Sequence, residues 1–124
     1  HRFNPEVSMG IQHQLGADIM FAFDELTSLL HPRSYQVDSL ERTHAWAARC
    51  LAEHKQLTQA RSDKPYQQLW GVIQGAQWED LRRQAARTME DRTGKVTLWG
   101  TPPTSSCIFS TMAWVYVLFG DVDM

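Results

Sequence analysis

The sequence predicts an α/β fold in which parallel strands alternate with helices. Three observations lead there. Residues 19–23 and 69–73 are apolar runs of strand length with no polar alternation, as in strands covered on both faces. Each follows a helix-like segment, and the stretch between them is long and amphipathic enough to carry a right-handed crossover that lays the two strands parallel. The first run ends in Asp24 and Glu25, the second in Gln74 and Gly75. Ligands of such sheets bind at the carboxyl ends of the strands, so Asp24 and Gln74 are expected to converge on one mouth. The plainer alternative is that Asp24 caps the next element and Gln74 sits in a turn.

The first helix is expected to begin at Pro5. Asn4 offers a capping oxygen, Pro5 a first helical position that needs no N–H, and Glu6 an acid at the positive end of the dipole. Met9, Ile11 and Leu15 give it a loose apolar face, and Gly16 suits the left-handed conformation that ends a helix. The strand over 19–23 follows, with Asp24 as its last residue or the first of the loop. Residues 27–37 read as a loop at the mouth, with Pro32 barring helix just before it. Asp38 with Glu41 resembles a capping box. From there Leu40, His44, Ala47, Leu51 and His54 share one face of a helix running to about Ala60. His44 and His54 lie ten residues apart with no i, i+4 partner, so neither is assigned a metal. After the break at residues 61–65 and the second strand, Trp78, Leu81, Ala85 and Met89 recur at helical spacing. Glu79 and Asp80 lead that third helix and arginines follow, which matches the dipole. Those arginines are read as a solvated face.

At 124 residues the chain suffices for one domain, whereas a complete eight-stranded α/β barrel takes about 250. A barrel reading therefore makes it a piece. A net charge of -2 gives no global attraction to nucleic acid, so any RNA contact has to come from local patches. Cys50 and Cys107 have neither paired nor Cys-x-x-Cys spacing, which argues against a disulfide framework or a zinc site. A cytoplasmic location is the default expectation, with no signal peptide and no run near the roughly 20 apolar residues of a membrane span. Beyond Gly94 the chain changes character: residues 94–124 hold three charged side chains (Lys95, Asp121, Asp123), against 23 in the 93 residues before. A Thr/Pro/Ser-rich lead precedes a strand-like run at 112–119, and the segment carries no motif.

Five blocks in order then support a resemblance. They are Asn4-Pro5-Glu6, the run from Ile11 to Ile19, Phe21-Ala22-Phe23-Asp24-Glu25, Leu40-Glu41-Arg42-Thr43-His44-Ala45-Trp46-Ala47, and Leu69-Trp70-Gly71-Val72-Ile73-Gln74-Gly75 with Glu79-Asp80-Leu81-Arg82. Over residues 1 to about 92 the sequence resembles the bacterial tRNA-guanine transglycosylases. The resemblance implies a fragment of a (β/α)8 TIM barrel over residues 1–93, followed by an atypical tail over 94–124. It implies exchange of guanine for a 7-deazaguanine in tRNA anticodons through a ribosyl-aspartate intermediate, with tRNA and the base as partners and often a homodimer. By the same resemblance Asp24 matches the base-recognising aspartate, and Gln74, backed by Gly75, the base-recognising glutamine. The chemistry agrees: a carboxylate accepts from the ring N–H and amine of guanine, an amide donates to its carbonyl, and the opposite pattern of adenine is rejected.

The sequence departs from the family pattern in three places. The nucleophilic aspartate, an upstream Asp-Ser-Gly-Gly-Phe-Gln-like block and the Cys-x-Cys-x-x-Cys that with a distant His holds zinc have no counterpart here. No catalytic residue and no cofactor are therefore assigned to this chain, and residues 95–124 leave the pattern altogether. Two functions compete: a segment of the transferase that carries half its guanine pocket, and a non-catalytic remnant or subunit that contributes tRNA or protein contacts.

Overall fold

The computed structural model describes the backbone of residues 2–93, 98, 99 and 115–118, and the side chains of residues 2–91. Helix α1 (Pro5–Leu15) begins as expected, with the Asn4 carboxamide accepting from the Val7 N–H at 2.9 Å. It ends at Gly16, whose φ of 73° turns its N–H back onto the Gln12 and His13 carbonyls. Its buried face is not the expected one. Met9 is fully buried together with Ser8 and His13, while Ile11 and Leu15 are exposed.

Strand β1 (Ile19–Phe21) is shorter than the apolar run that announced it, although the Ala22 N–H still reaches the Trp70 carbonyl at 2.8 Å. Nor is it covered on both faces: Met20 is fully buried, whereas Ile19 and Phe21 are 49% and 42% exposed. Among the described residues the helical core meets β1 at Met20, and continuous apolarity does not say which face meets a partner. Its outer edge is occupied by one side chain: the Gln12 carboxamide donates to the Phe21 carbonyl and accepts from the Phe21 N–H, both at 2.9 Å.

Helix α2 (Arg33–Gln59) starts five residues before the expected Asp38, which lies in its second turn and forms no capping box. Pro32 takes the cap position in an extended conformation, and its carbonyl accepts from the Gln36 N–H. The reason is tertiary. The buried Gln36 amide binds the Thr27 hydroxyl and the Ser28 carbonyl, which ties the first turn to the preceding loop. Pro32 still keeps helix out of the residues before it. The buried face then steps through Gln36, Leu40, Thr43, Ala47, Cys50 and His54, three or four residues at a time.

Strand β2 (Gln68–Ile73) lies parallel to β1, with Met20 opposite Leu69, as the crossover through α2 requires. Helix α3 (Glu79–Thr93) buries Leu81, Ala85 and Met89 as its spacing predicts. Strands β3 (Leu98–Trp99) and β4 (Val115–Leu118) complete a sheet of order β1-β2-β4-β3. This corrects the expectation of parallel strands throughout. Strand β4 is antiparallel to both neighbours, so β3 has the direction that a crossover through α3 imposes and β4 is wedged between it and β2. The remainder of the atypical tail expected over 94–124 lies outside the described residues. Met9, Met20, Leu40, Leu69, Leu81 and Met89 form the core between the β1–β2 pair and the three helices. No described helix is long and apolar enough to cross a membrane.

Candidate functional site

Asp24 and Gln74 leave the carboxyl ends of β1 and β2, and because those strands are parallel and in register the two side chains arrive together. The Gln74 Nε2 donates to the Asp24 Oδ2 at 2.5 Å, across fifty residues of sequence. Both are partly buried. Burial holds the Asp24 carboxyl above its ordinary range, and the Gln74 hydrogen bond pulls less strongly the other way. The pair is thus a carboxyl and an amide side by side in a partly dehydrated mouth, an acceptor and a donor that together have the capacity to hydrogen-bond a planar polar edge.

Gly75 faces a different constraint. Its φ is 125°, and a Cβ there would lie 2.8 Å from the backbone nitrogen of Arg82 and 2.9 Å from its Cγ. Only a bare backbone lets the first turn of α3 come so close. The left-handed φ of 47° at Ala76 adds a second strained position in the same turn. The turn closes as the Trp78 N–H reaches the Gly75 carbonyl, and Trp78 in turn accepts from the Arg82 N–H, each at 3.0 Å. Across the mouth the Arg33 guanidinium lies 4.8 Å from the centre of the Trp78 ring and pairs with Asp80, tying the start of α2 to that of α3. Arg82 is half-buried, and burial lowers its affinity for a proton.

Sequence reasoning missed a second set of residues around Asp24. Thr43 Oγ1 accepts from the Glu25 N–H and Cys50 Sγ from the Phe23 N–H, both at 3.2 Å. The Glu25 carboxylate accepts from the Tyr35 hydroxyl at 2.5 Å and pairs with Arg42. The available signal was polar residues recurring on the buried face of α2. Cys50 is buried and its thiol is pushed up to about 11. No three His, Cys, Asp or Glu side chains group as metal ligands among the described residues.

The opposite end of the strands holds another polar cluster. His13 Nε2 and His54 Nδ1 meet at 2.9 Å, and burial lowers the proton affinity of both, that of His54 to about 4. Arg61 binds the His13 carbonyl at 2.9 Å and the Gln67 amide oxygen, and Gln67 Nε2 donates to the Ala17 carbonyl at 2.7 Å. His54 shares the buried face of α2 with Leu40 and Ala47, as its spacing predicts. Its partner on α1 was not foreseen.

The Queuine tRNA-ribosyltransferase family model matches residues 1–105. A queuine tRNA-ribosyltransferase of Shouchella clausii is 52% identical over 87 residues, covering 69% of this chain and 21% of that protein. One from Staphylococcus epidermidis is 48% identical over 86 residues, with 69% and 21% covered. One from a Roseiflexus species is 41% identical over 95 residues, with 73% and 24% covered. The chain therefore spans about a fifth of the length of the curated relatives it matches. With the match running through β1, β2, the three helices and the mouth between them, this chain belongs to the queuine tRNA-ribosyltransferase family.

Proposed function

We propose that this chain supplies part of the guanine-recognising wall of a tRNA-guanine transglycosylase, within a fragment of its (β/α)8 barrel. The whole enzyme would exchange a guanine in a tRNA anticodon for a 7-deazaguanine. Asp24 would accept from the ring N–H and exocyclic amine of the base, Gln74 would donate to its carbonyl, and Gly75 would let the backbone lie close beneath. The observation that carries this reading is the 2.5 Å contact between Asp24 and Gln74 at the carboxyl ends of two parallel strands. Without a base the two groups satisfy each other, and a guanine edge with donors beside an acceptor replaces that contact with two complementary ones. Adenine presents the reverse pattern and would leave the buried carboxylate unpaired.

Incorporation of labelled guanine into tRNA tests the reading in three proteins: the 124-residue chain, the Shouchella clausii relative with its matching segment replaced by that of this chain, and the same chimera with Asp24→Asn. Full exchange is expected from the unsubstituted chimera, reduced exchange from the Asp24→Asn chimera and none from the short chain. The short chain has no nucleophile for the ribose carbon, and the variant turns an acceptor into a donor facing donors. Unchanged exchange by the Asp24→Asn chimera, or robust exchange by the short chain, would sink the assignment.

A second reading, a non-catalytic part that makes protein contacts, is favoured by one feature. Phe3, Val7, Ile11 and Leu15 recur every four residues as an exposed apolar stripe continuing onto Ile19 and Phe21. Light scattering that shows the chain strictly monomeric at high concentration would count against it.

A further inference from the structure

Of the five sequence blocks that carry the family resemblance, the one from Leu40 to Ala47 is given no role by the reading of Asp24 and Gln74. We infer that it belongs to a grip by which α2 positions Asp24, with Thr43 and Cys50 holding the peptides on either side of that residue and Tyr35 and Arg42 clamping Glu25. The inference rests on the proposed role of Asp24.

Beyond Phe21 the chain leaves the strand ladder, and past the bond from the Ala22 N–H to Trp70 no described ladder contact holds residues 23–28. A carboxylate on such a segment would swing freely. Here α2 holds it from both sides. Behind Asp24, the Phe23 N–H donates to Cys50 Sγ at 3.2 Å, and the Phe23 ring packs 5.0 Å from the Trp46 ring. Ahead of it, the Glu25 N–H donates to Thr43 Oγ1 at 3.2 Å. The Glu25 carboxylate accepts from the Tyr35 hydroxyl at 2.5 Å and pairs with Arg42. Thr43 is 1% exposed, so its hydroxyl meets the Glu25 N–H without competition from water. With both flanking peptides fixed, the Asp24 side chain keeps few rotamers, and the one it holds faces Gln74. Such restraint is what a recognition group needs to meet a base edge without first being ordered. Thr43 and Glu25 act through Asp24 and touch no base themselves, which makes them positioning residues.

The test is carbon-detected NMR of the Asp24 carboxyl and the Gln74 side-chain amide in the full 124-residue chain, with Thr43→Val, Thr43→Ser and Glu25→Ala. Thr43→Val keeps shape and removes the acceptor. It is expected to shift the Gln74 amide signal toward that of a free amide and to lower the Asp24 titration midpoint toward the ordinary carboxyl value of about 3.9, since loss of burial outweighs loss of the Gln74 bond. Thr43→Ser restores both signals. Glu25→Ala, at a partly exposed position, moves both in the same direction by less and serves where Thr43→Val fails to fold. The His54 imidazole, at the far end of the strands, keeps its titration in every folded variant. Identical Asp24 and Gln74 signals in Thr43→Val and Glu25→Ala, or His54 moving in step with them, would overturn the grip. Guanine added to the unsubstituted chain addresses base recognition separately: no shift at Asp24 or Gln74 removes that reading, while the three variants still decide the grip.

Discussion

The two ends of the β1–β2 pair bury polar side chains in opposite ways. At the carboxyl ends, a carboxylate meets one amide at 2.5 Å and its proton affinity is raised. At the amino ends, two imidazoles meet at 2.9 Å and their proton affinity is lowered. The far cluster is knitted into the backbone, since Arg61 and Gln67 hold carbonyls of α1 and of the turn after it. The mouth pair is bonded side chain to side chain, and its backbone is held from behind by α2. Side chains bonded to backbone carbonyls brace the elements they join, so Arg61 and Gln67 make the far cluster a plug between α1 and the start of the strands.

The largest expected effect would break this comparison if it failed. Asp24→Asn should cost recognition of guanine about 1–3 kcal/mol, roughly five- to 150-fold in exchange by the chimera. His54→Gln at the plug should leave the selectivity for guanine over adenine unchanged, measured in the same assay.

Acid unfolding sharpens it next. His54 has a folded value of about 4 against an ordinary 6.5, so the unfolded chain binds more protons between those values. Its contribution is present above pH 6.5 and is lost as the pH falls toward 4, by about 1–3 kcal/mol after allowance for solvent screening. Asp24 has the opposite sign: with its folded value raised, its contribution is present at low pH and lost as the pH rises through that value. Urea unfolding at pH 7 and pH 4.5 should show a net acid loss that His54→Gln flattens and Asp24→Asn leaves in place.

Two glycines divide the ends in the same way. Gly16, beside the plug, has a φ of 73° and open space around it, while Gly75, at the mouth, has a φ of 125° and no room for a Cβ. Gly16→Ala should cost about 1 kcal/mol from backbone strain alone. Gly75→Ala should cost about 2–3 kcal/mol and displace the start of α3. Equal losses in urea unfolding would mean that the close approach of Arg82 does not hold in solution.

The smallest effect is a control. Arg83 pairs with Glu79 one turn away at the exposed start of α3. Arg83→Ala should change stability by about 0.3–0.5 kcal/mol and leave both clusters untouched.

Much of this was legible in the chain because it is written locally. Asn4-Pro5-Glu6 and Gly16 bound α1 through capping chemistry that needs no tertiary partner. The spacing of Leu81, Ala85 and Met89 set the buried face of α3. The parallel pairing of β1 with β2, and with it the meeting of Asp24 and Gln74, followed from one crossover. Where the sequence misled, a distant partner had overridden a local signal. Asp38 and Glu41 look like a cap, yet Gln36 anchored to Thr27 and Ser28 starts α2 earlier. Ile11 and Leu15 look like a core face, yet Ser8 and His13 are buried instead, because Gln12 and His13 bond across to β1 and α2.

The sequence by itself therefore determined the order of the elements from α1 to α3, the direction of the first two strands and the two side chains at their mouth. All of these depend on helix and strand periods and on caps within a few residues of one another. The tertiary structure alone decided which faces are covered, that His13 meets His54, that Gly75 has no room for a side chain, and that α2 holds the peptides around Asp24. The named contacts join residues seven to forty-one apart, and no local period records which side of an element its partner will approach.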